Sequence, residues 1–291
     1  MPTLIRLAIS IALLALVASQ FGDGLLEQLQ TADTRWLLAA LALGFAQITL
    51  SAWRWRFTAG HLAIPLTRRV ALGEYYLATL VNQTLPGGVL GDAQRAWRHG
   101  RQLPRHGPAF QAVVIERLSG QIAMGLLALA AWTSSPWASS GDRSQSLLLL
   151  LALIGFVAII STGLSRAHTA PDWMRDWRDA LSRGLFNRRV LPLQLMASFT
   201  VAAGYVGGFV CCLMALGPAG GITIWIALIP PVLFAMLIPL SIAGWGIRES
   251  AAALLWPMAG LPAAEGVAAA ILYGAISLLA GVPGVMVLLR R

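Results

Sequence analysis

The sequence predicts an all-α, polytopic helical bundle embedded in a membrane. It should have about eight crossings and two Gly/Pro-broken segments, one in each half. Three observations carry this reading. First, of 291 residues 57% are hydrophobic and only 11% charged, with a mean hydropathy of +0.72; a soluble domain carries about a quarter charged residues. Second, apolar runs of spanning length recur along the whole chain. Third, the two stretches that cannot continue as helix, Pro86-Gly87-Gly88-Val89-Leu90-Gly91-Asp92 and Pro239-Leu240-Ser241-Ile242-Ala243-Gly244-Trp245-Gly246, stand beside ionisable residues. Broken backbone at membrane depth is tolerated only where protein buries it or it lines a wet cavity.

Residues 4–21 form an apolar run with Arg6 near its start. We read them as a retained first helix rather than a signal peptide, because Val17-Ala18-Ser19 is a poor cleavage site. Residues 22–35 are a short acidic connection with Asp23, Glu27 and Asp33. Residues 36–57 form the second span, ending in Trp53-Arg54-Trp55-Arg56, which reads as an anchor at one interface. Residues 73–97 are too short and too broken for a clean span. They read as a re-entrant or discontinuous segment: a leading helix with Tyr75 and Tyr76, a tip at 86–91 and a return at 92–97. Arg98, Arg101 and Arg105 then continue the basic side begun by Arg68 and Arg69. Residues 110–132 form the third full span, with Glu116-Arg117 in its first two turns, and residues 147–164 the fourth.

Residues 166–189 are the largest polar loop. Trp173, Trp177, Leu181 and Leu185 recur every fourth position and make one apolar helical face. This suits a helix lying in the cytoplasmic interface or, equally, a solvated linker helix. Residues 190–216 form the fifth span, with a Gly204-x-x-x-Gly208 spacing that permits close helix approach. Residues 222–240 form the sixth, interrupted by Pro230-Pro231 and Pro239. The second broken segment covers 238–260; within it 251–258 is a half-helix or a tilted span. Residues 265–289 form the last span, closed by Arg290-Arg291. Arginine-rich loops at 54–69, 98–105, 166–189 and the C-terminus place both termini in the cytoplasm. Tryptophans follow the same division, with Trp36, Trp132, Trp137, Trp225 and Trp256 at outer ends and Trp53, Trp55, Trp173, Trp177 and Trp245 at inner ones.

The net charge of +9 comes entirely from arginine, since the chain has no lysine. In a membrane protein it points to anionic lipid headgroups rather than nucleic acid. Cys211 and Cys212 read as small core residues, and His61, His99, His106 and His168 lack ligand spacing, so no metal or cofactor is expected. The two breaks match: each runs from Pro through small residues to Gly and then Arg, at Pro86, Gly91 and Arg95 and at Pro239, Gly244 and Arg248. Either they form one site between the halves or both are ordinary boundary loops. Arg95, Arg117 and Arg248 are permanent cations suited to phosphate or carboxylate, and Asp92, Glu116 and Glu249 can hold them when no ligand is bound. Adjacent on a helix, Glu116 and Arg117 must pair elsewhere. Each charge serves either as a ligand contact or as a structural ion pair; no activated nucleophile is visible, so no enzyme activity is expected.

At Pro86, Gly87, Gly88, Gly91, Asp92 and Arg95, at Glu116-Arg117, and at Pro239, Gly244, Gly246, Arg248 and Glu249, the chain resembles the flippase-like membrane domain of the lysylphosphatidylglycerol synthase family. The resemblance implies a single domain over 1–291 that moves, or helps move, a lipid between leaflets of the bacterial inner membrane. Its ligand would be an anionic headgroup such as a phospholipid, an aminoacyl-phospholipid or a polyprenyl phosphate. Since the chain ends at Arg291 just after its last span, the soluble synthase domain is expected to be absent. Trp245 is bulkier than the small residue expected between Gly244 and Gly246. The alternative is a non-transporting partner of a glycosyltransferase or another envelope-biosynthesis enzyme, docking through 172–186.

Overall fold

The computed structural model describes residues 31–85, 88–135, 171–217, 221–236 and 243–289. The predicted first and fourth spans, Pro86, Gly87 and Pro239 lie outside these residues. The described chain is helical: α1 Thr34–His61, α2 Arg68–Thr84, α3 Leu90–Gly100, α4 Gly107–Ser134, α5 Asp172–Gly184, α6 Leu191–Leu216, α7 Ile222–Ala235, α8 Ile247–Met258 and α9 Ala263–Gly281. A 3₁₀ turn at Val282–Gly284, set by Pro283, then leads into α10 Val285–Leu289. Among the described residues four helices are long and apolar enough to cross a membrane: α1, α4, α6 and the continuous run Ala263–Leu289.

Each pair of long helices encloses two short ones. At 1.5 Å per residue, α2 reaches roughly 26 Å, α3 17 Å, α7 21 Å and α8 18 Å, all under the roughly 30 Å hydrocarbon thickness. The order long–short–short–long therefore occurs twice, as α1–α4 and as α6–α9. Exchanging α1 with α6, α2 with α7, α3 with α8 and α4 with α9 maps the packing onto itself. The pair α1–α2 becomes α6–α7, α2–α3 becomes α7–α8, and α3–α4 becomes α8–α9. Likewise α1–α4 becomes α6–α9, α1–α9 becomes α6–α4, and α2–α9 becomes α7–α4, while α1–α6 maps onto itself. The two halves are thus structural repeats meeting along α1 and α6.

The first break is a hairpin. Thr67 caps α2 by accepting from the Val70 amide at 3.4 Å. After Thr84 the backbone extends at Leu85, and Gly88 takes φ +61°, which a side chain would disfavour. The helix then restarts at Leu90, earlier than Asp92, and carries Arg98 and His99 within it. Gly91 is what lets α3 cross α2. A Cβ there would sit 2.1 Å from the Ala78 carbonyl oxygen. In the second half α7 runs through Pro230-Pro231 to Ala235, and α8 begins at Ile247 behind Ala243, Gly244 and Gly246, all at positive φ. Arg248 and Glu249 therefore belong to the first turn of α8 rather than to the loop before it.

Several interface assignments are corrected. Trp55, Trp225 and Trp256 are core residues, and Arg54 beside Trp55 is buried as well. Trp53 of that anchor remains on the outside, as do Trp36 and Trp173. α5 docks against α4 and α1: Leu185 is buried, Gly184 abuts Ile115, Thr58 and Leu62, and Trp177 meets Phe110 edge-on. Much of its apolar face is therefore satisfied within the chain. Gly204 meets Gln47 of α1, whereas Gly208 faces Tyr273 of α9, so the two glycines serve different contacts. Cys211 and Cys212 are buried free thiols.

Gly91→Ala should cost about 3 kcal/mol or more, since backbone would have to yield. Gly60→Ala, at an exposed position where an added Cβ meets nothing within 4 Å, should gain up to about 1 kcal/mol. Thermal unfolding of both variants in detergent measures the difference.

Candidate functional site

The first break delivers its charges to a buried cluster centred on Glu116 of α4. Oε1 of Glu116 accepts from Arg54 Nη2 on α1 and from the Tyr75 hydroxyl on α2 at 3.2 Å. Oε2 accepts from Arg95 Nη2 on α3 at 2.7 Å. Four helices thus converge on one carboxylate. Arg54 extends the set to α6 by donating from Nη1 to Ser198 Oγ at 3.0 Å. Arg95 also donates from Nε to Asp92 Oδ1, one turn earlier on α3, at 2.9 Å. Its guanidinium lies over the Trp55 and Tyr75 rings, 4.7 and 4.5 Å from their centroids. His99 stands edge-on to Trp55 and hydrogen-bonds the Pro65 carbonyl, which places it in the supporting wall.

Asp92 ties this cluster to the hairpin tip. Its Oδ2 accepts from Asn82 Nδ2 at 3.0 Å and from Arg117 Nη2 at 2.6 Å. Asn82 Oδ1 in turn accepts the Gly91 amide at 2.7 Å. That first-turn amide of α3 is therefore already used, and is not a spare donor for an anion. As expected for helix neighbours, Glu116 and Arg117 pair apart, with different partners.

The charges do not balance. Three arginines, Arg54, Arg95 and Arg117, face two carboxylates, Asp92 and Glu116. Arg54 Nε, Arg95 Nη1 and Arg117 Nε have no hydrogen-bond partner among the described residues. Arginine stays protonated even in such surroundings. A low-dielectric site with surplus positive charge and unused donors favours an anion. The route in is at Arg117, whose side chain is 39% exposed against 9% or less for the other four.

The second break builds something different. Arg248 and Glu249 are both fully buried and pair with each other, Arg248 Nε donating to Glu249 Oε1 at 3.1 Å. Glu249 Oε2 reaches back to accept the Gly246 amide at 2.6 Å. The guanidinium lies 5.0 Å from the Trp245 ring centroid and 5.6 Å from that of Tyr273. Gly274 makes room for it: a Cβ there would approach Arg248 Nη2 to 2.3 Å and Trp245 to 2.7 Å. The bulk of Trp245 is thereby accommodated. This pair is charge-balanced, and among the described residues no hydrogen bond or ion pair joins it to Asp92, Arg95, Glu116 or Arg117.

Of the six charged candidates in the sequence, the structure brings together Asp92, Arg95, Glu116 and Arg117 and leaves Arg248 and Glu249 as a separate pair; sequence reading missed Arg54, Trp55, Tyr75, Asn82 and Ser198 as partners of the four. A signal for Arg54 was present. Gln47, Ser51, Arg54 and Thr58 repeat at helical spacing within an apolar span, and a polar stripe there must face protein. Ser51, Arg54 and Thr58 are indeed buried. The matching stripe on α6, Gln194 and Ser198, meets it: Gln194 Nε2 donates to Thr58 Oγ1 at 3.4 Å, and Ser198 Oγ accepts from Arg54 Nη1.

Glu116→Gln would leave Arg54 without a counter-charge and Arg95 with Asp92 alone. We expect a loss of about 3–5 kcal/mol, as for other broken buried pairs. Arg98→Gln, which breaks the more exposed Arg98–Glu74 pair, should cost less. Detergent melts of the two variants make the comparison.

Among curated proteins the sequence has no match. Among protein families, residues 3–284 match the lysylphosphatidylglycerol synthase TM region. That match covers nearly the whole chain, and a transmembrane region agrees with the four helices long and apolar enough to cross a membrane. The chain belongs to the lysylphosphatidylglycerol synthase TM region family and is a multi-pass membrane protein.

Proposed function

We propose that this membrane protein of lipid-related envelope biology translocates, or helps translocate, an anionic lipid between leaflets of the bacterial inner membrane. The observation that carries the reading is the uncompensated positive charge of the Arg54–Arg95–Arg117 cluster, buried behind a Gly/Pro-broken hairpin and open at Arg117. A permanent buried cation without a counter-ion is costly in a membrane and marks a ligand pathway. Duplicated helices with paired breaks are the architecture in which secondary transporters place their substrates. The ligand's common feature is a phosphate ester on a lipid, as in phosphatidylglycerol, its aminoacyl form or a polyprenyl phosphate. Direct headgroup contact is assigned to the first half; the balanced Arg248–Glu249 pair holds the second break in shape. The reading requires binding and release only, with no covalent step.

Reconstitution tests this. Proteoliposomes should move fluorescent phosphatidylglycerol between leaflets at least about tenfold faster than fluorescent phosphatidylcholine, the ratio that about 1.4 kcal/mol of preference gives. Equal rates for the two lipids, or rates equal to protein-free vesicles, contradict the proposal.

A further inference from the structure

The ion pair between Asp92 and Arg117 differs from the other ion pairs of the cluster in where it can open. Opening the contact of Arg54 or Arg95 would move a buried guanidinium out of the core, although Glu116 would keep the other arginine. If Arg117 turns away, Asp92 keeps Arg95 on Oδ1 and Asn82 on Oδ2, so no buried carboxylate is stranded. Arg117 is also the exposed arginine of the three. Its Nη2 is held by Asp92 and its Nε by nothing among the described residues. These two N–H groups form the edge of a guanidinium that grips a phosphate bidentately. The exposed residues that flank Arg117 and the hairpin tip include the apolar Leu118, Leu85 and Val89. Such a setting favours the phosphate of a lipid over one free in water.

We infer that Asp92 is an internal stand-in for the ligand: a lipid phosphate takes its place on Arg117, and Asp92 falls back on Arg95 and Asn82. This deepens the translocator reading and rests on it. Arg117 is then the headgroup contact, and Asp92 sets how strongly an anion must bind to open the pair. Because Asp92 and the Gly91 amide share Asn82, exchange at Arg117 also bears on the hairpin tip.

The test is a binding comparison in nanodiscs of phosphatidylcholine doped with phosphatidylglycerol, with sn-glycerol 3-phosphate in solution as the water-borne competitor. Wild type should retain phosphatidylglycerol selectively, and Arg117→Gln should lose that retention by about tenfold or more, as for a charge-assisted bidentate contact. Arg117→Lys, which keeps the charge but not the fork, should fall between them. Asp92→Asn should raise retention about tenfold by removing the competing charge, and that gain should vanish in the Asp92→Asn/Arg117→Gln double variant. Arg117→Lys and Asp92→Asn are scored only as folded protein, by thermal unfolding; a folded Asp92→Asn with unchanged or lower retention overturns the exchange. So do selective retention by wild type with no effect of either Arg117 variant, and displacement of the lipid by millimolar glycerol phosphate. Wild type that retains both lipids equally overturns the translocator reading itself, and the exchange with it.

Discussion

The structure depends on one buried carboxylate. Glu116 is the counter-charge shared by Arg54 and Arg95 and receives the Tyr75 hydroxyl, so α1, α2, α3 and α4 are fixed to a single point. In low dielectric such contacts are strong when complete and costly when any member is missing. The packing around them follows from that. Trp55 and Tyr75 lie against Arg95 because a guanidinium that has used part of its donor set still needs its faces covered. Gly91 allows α3 to come close enough to α2 for Asp92 to meet Asn82. Ser198 carries the network across to the second half.

The repeat makes the asymmetry between the halves informative. Arg95 and Arg248 follow Pro86 and Pro239 at the same interval, and each lies in a return helix over two aromatic rings. Around Arg95 the next long helix supplies Glu116 and Arg117, and the cluster carries one cation too many. Around Arg248 the next long helix supplies Gly274, a hole shaped to the guanidinium, and the adjacent Glu249 balances the charge. The same arrangement of helices thus holds an electropositive cluster on one side and a charge-balanced pair on the other.

The all-helical class, the helical character of most of the spans and the position of both breaks were legible in the sequence, because they depend on hydropathy and on the backbone limits of Pro and Gly. So were Asp92, Arg95, Glu116 and Arg117, since an apolar chain keeps charges beside broken backbone only where they pair with one another or meet a ligand. The pairing was not legible. Arg54 was hidden in an aromatic-basic motif that imitates an interfacial anchor, although Ser51 and Thr58 on the same face marked it as interior. Trp225 and Trp256 were placed at interfaces from their position near helix ends, whereas packing against the second-half core buries them. The separation of Arg248 from the first cluster followed from the order of helices in space, which two matched motifs do not specify.

The central claim is that surplus positive charge at this cluster holds an anionic lipid. It is tested most directly by adding the missing carboxylate. Ser198→Asp places an acid where Arg54 Nη1 already donates, and so balances the cluster at the loss of the hydrogen bond from Ser198 Oγ to the Gln194 carbonyl. Mass spectrometry of lipids that copurify in gentle detergent should find one anionic class enriched in wild type and lost from the folded Ser198→Asp variant. The same enrichment in both proteins would contradict the account, because the lipid would then be held somewhere the charge of this cluster does not reach.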